Sequence, residues 1–242
     1  GDDLADERLA QLAGYRADLE CAVSGGTPSP TWRPMFQALA AAVRSHDLPA
    51  PLLRDLISAF EQDVRHTAAS HGYQDTHELL AYCALSANPV GRLLLHLYGI
   101  NDAHSLSQSD HICSALQLIN FWQDISVDLP RQRCYLPSDL LERLELRRED
   151  FDATAKVDAA TDARRVQAVA ALCQDARARM RQGAALARRV PGRAGWELRL
   201  VVQGGLRILD KIEAIGHRSW ERRPTVGKLD LPRMLWRAVW MG

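Results

Sequence analysis

Apolar residues recur three and four positions apart along almost the whole of this chain, and alternating apolar runs closed by tight glycine turns are hard to find. A repeat near 3.6 puts one apolar stripe on a helix, whereas a half-buried strand needs a repeat of two, so the sequence predicts an all-α fold. The pattern places helices over 4–24, 31–46, 50–71, 75–84, 88–99, 108–128, 138–145, 160–189, 194–216 and 230–240. The breaks at Gly25-Gly26-Thr27-Pro28-Ser29-Pro30, Leu129-Pro130 and Pro191-Gly192 are too short for domain linkers. With 242 residues, 47% of them hydrophobic, the chain is expected to form one domain over 1–242. Gly1 to Glu7 read as helix interior without a preceding cap, so upstream sequence is expected. The Ala- and Arg-rich stretch 160–189 reads as a solvated helix face.

Lys plus Arg and Asp plus Glu number 30 each. That balance leaves no global field for nucleic acid or an anionic membrane, so any ion site must be local. The five cysteines are scattered without metal-ligand spacing, which predicts a reduced, cytoplasmic protein with Cys134 the thiol open to exposure. No apolar run reaches membrane-spanning length.

The chemistry concentrates in Gln117-Leu118-Ile119-Asn120-Phe121-Trp122-Gln123-Asp124-Ile125-Ser126-Val127-Asp128. Asn120, Asp124 and Asp128 stand four apart, with Gln117 three before them, so they form one polar stripe among apolar neighbours. Two carboxylates one turn apart repel, and sequestering them from water is costly without a counter-charge. A divalent cation meets that need. Mg²⁺ takes one or two carboxylates and completes its shell with water and substrate phosphates, which points to a phosphorylated ligand. A second acidic stripe, Asp2 and Asp6, stands one turn apart at the start of the chain; helix capping explains it equally well. Small residues at 84, 86, 87 and 91, around Asn88-Pro89, leave room for a neighbouring helix or for a lipid-shaped cavity. Arg131, Arg133 and Tyr135 follow the central stripe within one loop.

Together these stretches resemble the squalene/phytoene synthase family, whose two aspartate-rich motifs read DxxxD and NxxxDxxxD. Asp2-x-x-x-Asp6 and Asn120-x-x-x-Asp124-x-x-x-Asp128 match them, as do Gln117, the tail Arg133-x-Tyr135-Leu136-Pro137, and Tyr82, Ala87, Val90 and Gly91 on the cavity-wall helix. The resemblance extends to Asp210-Lys211-Ile212-Glu213 and Arg222-Arg223-Pro224-Thr225. Ser86 to Arg92 and Phe121-Trp122-Gln123-Asp124 look like the hydroxysqualene synthases of hopanoid biosynthesis, since most squalene and phytoene synthases carry Arg where Gln123 stands.

The resemblance implies an isoprenoid synthase-type helical bundle around a deep central cavity. It implies Mg²⁺ held by Asp2, Asp6, Asn120, Asp124 and Asp128, these residues being catalytic together with Tyr82. It further implies substrate contacts from Gln117, Arg133, Tyr135, Ala87, Val90, Gly91 and Phe121. The implied reaction converts presqualene diphosphate and water to hydroxysqualene and diphosphate, with a presqualene diphosphate synthase as functional partner and no hydride donor. Two alternatives stay open: condensation of two prenyl diphosphates such as farnesyl diphosphate, and a non-enzymatic helical interaction protein. A class I terpene cyclase fits less well, because its second motif carries Ser or Thr centrally and Glu last. The C-terminal segment Leu231 to Trp240 combines large apolar side chains with Arg233 and Arg237. It is expected either to lie on a membrane surface or to pack its apolar face on the core.

Overall fold

The computed structural model describes residues 2–241, with side chains from Leu4 onward. Among the described residues the secondary structure is helical throughout, without a strand. The helices are α1 (Asp2–Ser24), α2 (Arg33–His46), α3 (Ala50–Ala68), α4 (Thr76–Ser86), α5 (Asn88–Leu97), α6 (Ala103–Gln123), α7 (Ile125–Asp128), α8 (Ser138–Arg143), α9 (Ala159–Gly183), α10 (Leu186–Arg189), α11 (Gly192–Ala214) and α12 (Leu231–Val239).

Side-chain caps set several of the starts. Asp75 accepts from the Glu78 amide at 2.8 Å, Asp102 from Ser105 at 3.0 Å and Asp158 from Thr161 at 2.7 Å. Each satisfies an amide that the first turn of a helix leaves unpaired. The cap at Asp102 explains why α6 begins five residues before the expected 108. The same expected helix breaks at Asp124, whose φ of −103° and ψ of 14° leave the helical region.

The large core forms around α6, which buries Ile112, Ala115, Leu118, Ile119, Phe121 and Trp122. Its chief partner is α9. This corrects the expectation that 160–189 is a solvated face, because Ala168, Val169, Leu172, Cys173, Ala176 and Met180 are all buried. The alanines are what permit the approach. At Gly183 an added Cβ would collide with the Gln108 carbonyl oxygen and with Ile112 Cγ1. A smaller core of Leu19, Ala22, Phe36, Ala40 and Ile57 joins α1, α2 and α3. Cys134, expected to be exposed, is 8% accessible, and burial pushes its thiol pKa up.

The C-terminal helix docks through a narrow face. Met234 and Ala238 are buried, while Leu235, Trp236, Val239 and Trp240 are half or more exposed, which overturns packing of the whole apolar face on the core. Its start is tied down by Asp230, 6% exposed, which accepts from Arg207 Nε and the Gly227 amide, each at 2.7 Å, and pairs with Lys211 Nζ at 2.8 Å. Those partners, Lys211 foremost, hold the Asp230 carboxyl far below the usual carboxylate range. A depressed carboxylate stabilises the fold above its unfolded pKa, about 3.9, and that contribution fades as pH falls toward the folded value. The stability difference between the parent and Asp230→Asn should therefore be largest near neutrality and shrink below about pH 4. Denaturant unfolding at pH 7, 4 and 3 checks this; a pH-independent difference would remove the ionic explanation.

Candidate active site

One face of α6 carries both halves of the site. Ser109, Ile112, Cys113 and Leu116 floor an apolar cavity of about 300 Å³, walled by Val90, Gly91 and Leu94 of α5 and by Leu198 and Val201 of α11. At three- and four-residue spacing the same face continues into Gln117, Asn120 and then Asp124. Gly91 is small for a physical reason: a Cβ there would overlap Ser109 Oγ and Cys113 Sγ, well inside van der Waals contact. It therefore serves both close packing of α5 on α6 and the cavity wall. Val90 is 47% exposed at that cavity. Ala87, expected as a substrate contact, lies at the α4 to α5 junction and is not among the residues lining this cavity.

Asp124 is 13% exposed and receives both guanidinium arms of Arg223, from Nε and from Nη2, the latter at 3.2 Å. This partner lies 99 residues away in the chain. Asp128 ends α7, half-buried. Burial, and then the adjacent Asp124 charge, raises the Asp128 carboxyl pKa against the opposing pull of Arg133, Arg131 and Arg223. Asn120 is exposed on the polar stripe.

Tyr82 Oη donates to Asp63 Oδ2 at 2.9 Å, a contact that sequence reading did not anticipate. Burial raises the pKa of Asp63, and burial with the nearby Asp63 charge raises that of Tyr82, so the phenol keeps its proton. The Phe121 and Tyr135 rings stack with centroids 3.8 Å apart, and Tyr82 lies 6.2 Å from Phe121 and 6.3 Å from Tyr135. The loop after α7 thus folds back to place Tyr135 on the α6 ring. Arg133, from the same loop, is exposed and lines an open pocket with Asp63 of α3 and with Arg8, Leu12 and Tyr15 of α1.

Asp6 lies exposed on α1, and the Asp2 side chain lies outside the described residues. Among the described residues no three His, Cys, Asp or Glu side chains gather as an ion site. The donor set of the central motif still suits a hard cation. Two carboxylates one turn apart, one of them disfavoured as an anion by burial and then by the other, match Mg²⁺ that draws its remaining ligands from water and a diphosphate. Neither Asp63 nor Arg223 carries a periodic signal. Arg223 enters the sequence reading only within the Arg222-Arg223-Pro224-Thr225 stretch of the family resemblance, with no partner assigned to it.

The squalene/phytoene synthase family model matches residues 1–230. A 15-cis-phytoene synthase of Pantoea ananas is 29% identical over 191 residues, which is 78% of this chain and 59% of that protein. A hydroxysqualene synthase of Zymomonas mobilis subsp. mobilis is 33% identical over 145 residues, covering 58% of this chain and 47% of that protein. The chain therefore matches only part of the length of these relatives. Among solved structures, squalene synthase HpnC from Alicyclobacillus acidocaldarius superposes with a TM-score of 0.76 at 32% identity, covering 86% of this chain and 74% of that one. A dehydrosqualene synthase superposes with a TM-score of 0.75 at 16% identity, a likeness of fold.

Proposed function

The chain belongs to the squalene/phytoene synthase family, and from that premise we propose that it is a Mg²⁺-dependent enzyme acting on a prenyl diphosphate, converting presqualene diphosphate and water to hydroxysqualene and diphosphate. The single observation that carries this reading is the order of residues along α6 and α7. Ser109, Ile112, Cys113 and Leu116 floor an apolar cavity of about 300 Å³, and Gln117, Asn120, Asp124 at the helix end and Asp128 one turn on in α7 follow it, an order that suits a ligand with a hydrocarbon body and an anionic head.

Asp124 and Asp128, with Asn120, would hold Mg²⁺, and Asp2 and Asp6 would add ligands from α1. The bound metal supplies Lewis-acid activation of the departing diphosphate. Arg223, Arg133 and Arg131 offer fixed positive charge to the same anion. Gln117 follows Cys113 of the cavity floor by one turn, which suits a contact where hydrocarbon gives way to diphosphate. Val90 and Gly91 would hold the chain, and Ala87 would act only through the α4 to α5 bend. The rings of Phe121, Tyr135 and Tyr82 present π faces that favour a cation over a neutral centre, and their packing limits bulk water. Asp63 fixes the Tyr82 hydroxyl. One water captures the final carbocation, and its proton leaves to solvent.

Condensation of two prenyl diphosphates is the second reading, favoured by the relatives named phytoene synthase and presqualene diphosphate synthase. Incubation of the purified protein with Mg²⁺ and presqualene diphosphate, followed by mass analysis, separates the two. Hydroxysqualene without added nicotinamide cofactor is the expected product. Recovery of unreacted presqualene diphosphate, with turnover of farnesyl or geranylgeranyl diphosphate instead, would establish the second reading. In the first case the substrate would be supplied by a presqualene diphosphate synthase.

A substrate and product with long hydrocarbon chains must exchange with lipid, and no helix among the described residues is long and apolar enough to cross a membrane. We propose peripheral attachment through α12 and its flank. Leu229 is 96%, Trp236 67% and Trp240 68% exposed, and the two indoles lie 5.7 Å apart. Interfacial helices bind by burying such apolar residues at headgroup depth. The parent should co-sediment with liposomes and Trp236→Ser/Trp240→Ser should not, at unchanged Tm. A parent that stays in the supernatant at every lipid concentration would sink this attachment.

A further inference from the structure

The segment 215–227 leaves α11 and crosses the central motif as a strap before the chain enters α12. Two firm anchors hold its ends. At the first, Arg218 pairs with Asp162 of α9, and Trp220, 1% exposed, packs edge-on against Phe151 with the Arg165 guanidinium 4.9 Å from its ring centroid. At the second, Asp230 accepts from the Gly227 amide at 2.7 Å. Between the anchors, the Gln123 amide, 9% exposed at the end of α6, donates from Nε2 to the Pro224 carbonyl at 2.7 Å, across 101 residues of chain. Arg223, the residue before that carbonyl, carries the guanidinium that meets Asp124, the residue after Gln123.

We propose that Gln123 is a positioning residue: its buried amide clasps the strap at Pro224 and so sets Arg223 against Asp124, delivering the fixed cation of the central aspartate motif from the far end of the chain. The two contacts act on different parts of the strap. Arg223 meets Asp124 at the end of a long, 46% exposed side chain, which leaves its backbone room to move. The hydrogen bond from Gln123 is buried and grips the backbone itself, and losing its donor leaves the Pro224 carbonyl without its partner. The clasp restricts the backbone on which Arg223 is carried, so less freedom remains to be lost when the guanidinium meets an anion. A neutral residue at 123 fits this role.

The part of this inference that concerns an anion rests on the diphosphate reading above; the clasp itself does not. The test uses Gln123→Met, which keeps length and removes the donor, with Gln123→Leu as a second variant should the first lower Tm. Two readouts are taken: the rate of tryptic cleavage after Arg222 in the folded protein, and calorimetric titration with inorganic pyrophosphate in Mg²⁺. Cleavage at the strap should accelerate about tenfold while Tm stays as in the parent. The pyrophosphate Kd should rise about tenfold, and Gln123→Met combined with Arg223→Gln should be no weaker than Arg223→Gln alone, because both act through one guanidinium. Parental strap cleavage in both Gln123 variants, or Kd effects that multiply in the double variant, would overturn the proposal. Absence of pyrophosphate binding by the parent would count against the diphosphate reading, and the cleavage result would still decide the clasp.

Discussion

Asp124→Asn and Asp128→Asn should each lower turnover of the prenyl diphosphate by at least about a hundredfold while leaving the helical melt intact, because each removes charge from the carboxylate pair that would hold the metal. The two need not affect stability alike. Asp124 already has the two-armed contact with Arg223, so its loss frees a half-exposed guanidinium. Asp128 is disfavoured as an anion by burial and by Asp124. Its replacement by a neutral amide should therefore be neutral or mildly stabilising in the metal-free protein. A variant that is more stable and far less active would show a residue kept for chemistry at the expense of the fold. Asn120→Ala should be milder, since no charge is removed. Near-parental turnover in both aspartate variants would sink the metal assignment.

Gly183→Ala should destabilise the protein by about 2 kcal/mol, lowering Tm by about 6 °C, because the added methyl meets backbone across the α9 and α6 contact. The ideal Cβ would sit 2.6 Å from Ile112 Cγ1 and 3.0 Å from the Ile112 amide nitrogen, and nearer still to the Gln108 carbonyl oxygen. Backbone cannot rotate away as a side chain can. Gly14→Ala, in α1, is the control: nothing lies within 4 Å of its Cβ, and the same substitution should stabilise by about 0.5–1 kcal/mol through backbone entropy and helix propensity. Shifts of opposite sign in thermal melts, the larger at 183, would attribute the loss there to packing. A neutral Gly183→Ala would mean that α9 can withdraw from α6.

The all-α architecture and most helix positions were legible because they are local quantities. The three-and-four spacing of apolar residues states which side of each segment is buried, whatever covers it. The acidic stripe was legible for the same reason: Asn120, Asp124 and Asp128 are neighbours through a single stretch of backbone. Where a boundary depended on one side chain, the pattern erred. The Asp102 cap moved the start of α6, and the departure of Asp124 from helical dihedrals divided it from α7. The Ala- and Arg-rich segment was misread because alanine marks an exposed helix and a close interhelical contact equally well. Only the packing of α9 on α6 and α11, with Ala168, Val169 and Ala176 buried, separates the two.

The sequence by itself thus determined the helices, the polar stripe along α6 and the chemistry that such a stripe favours. Tertiary structure alone decided what stands opposite it. Arg223 reaches Asp124 across 99 residues and Gln123 reaches Pro224 across 101, separations over which no periodicity in the chain carries information. Asp63 meets Tyr82 only because α3 packs on α4, and Tyr135 stacks on Phe121 only because the loop after α7 turns back. The physical reason is one of range. Periodicity records the average environment of a helix face, whereas a hydrogen bond or a stacked ring depends on the relative placement of two backbones to within about an ångström, which packing of the whole core fixes.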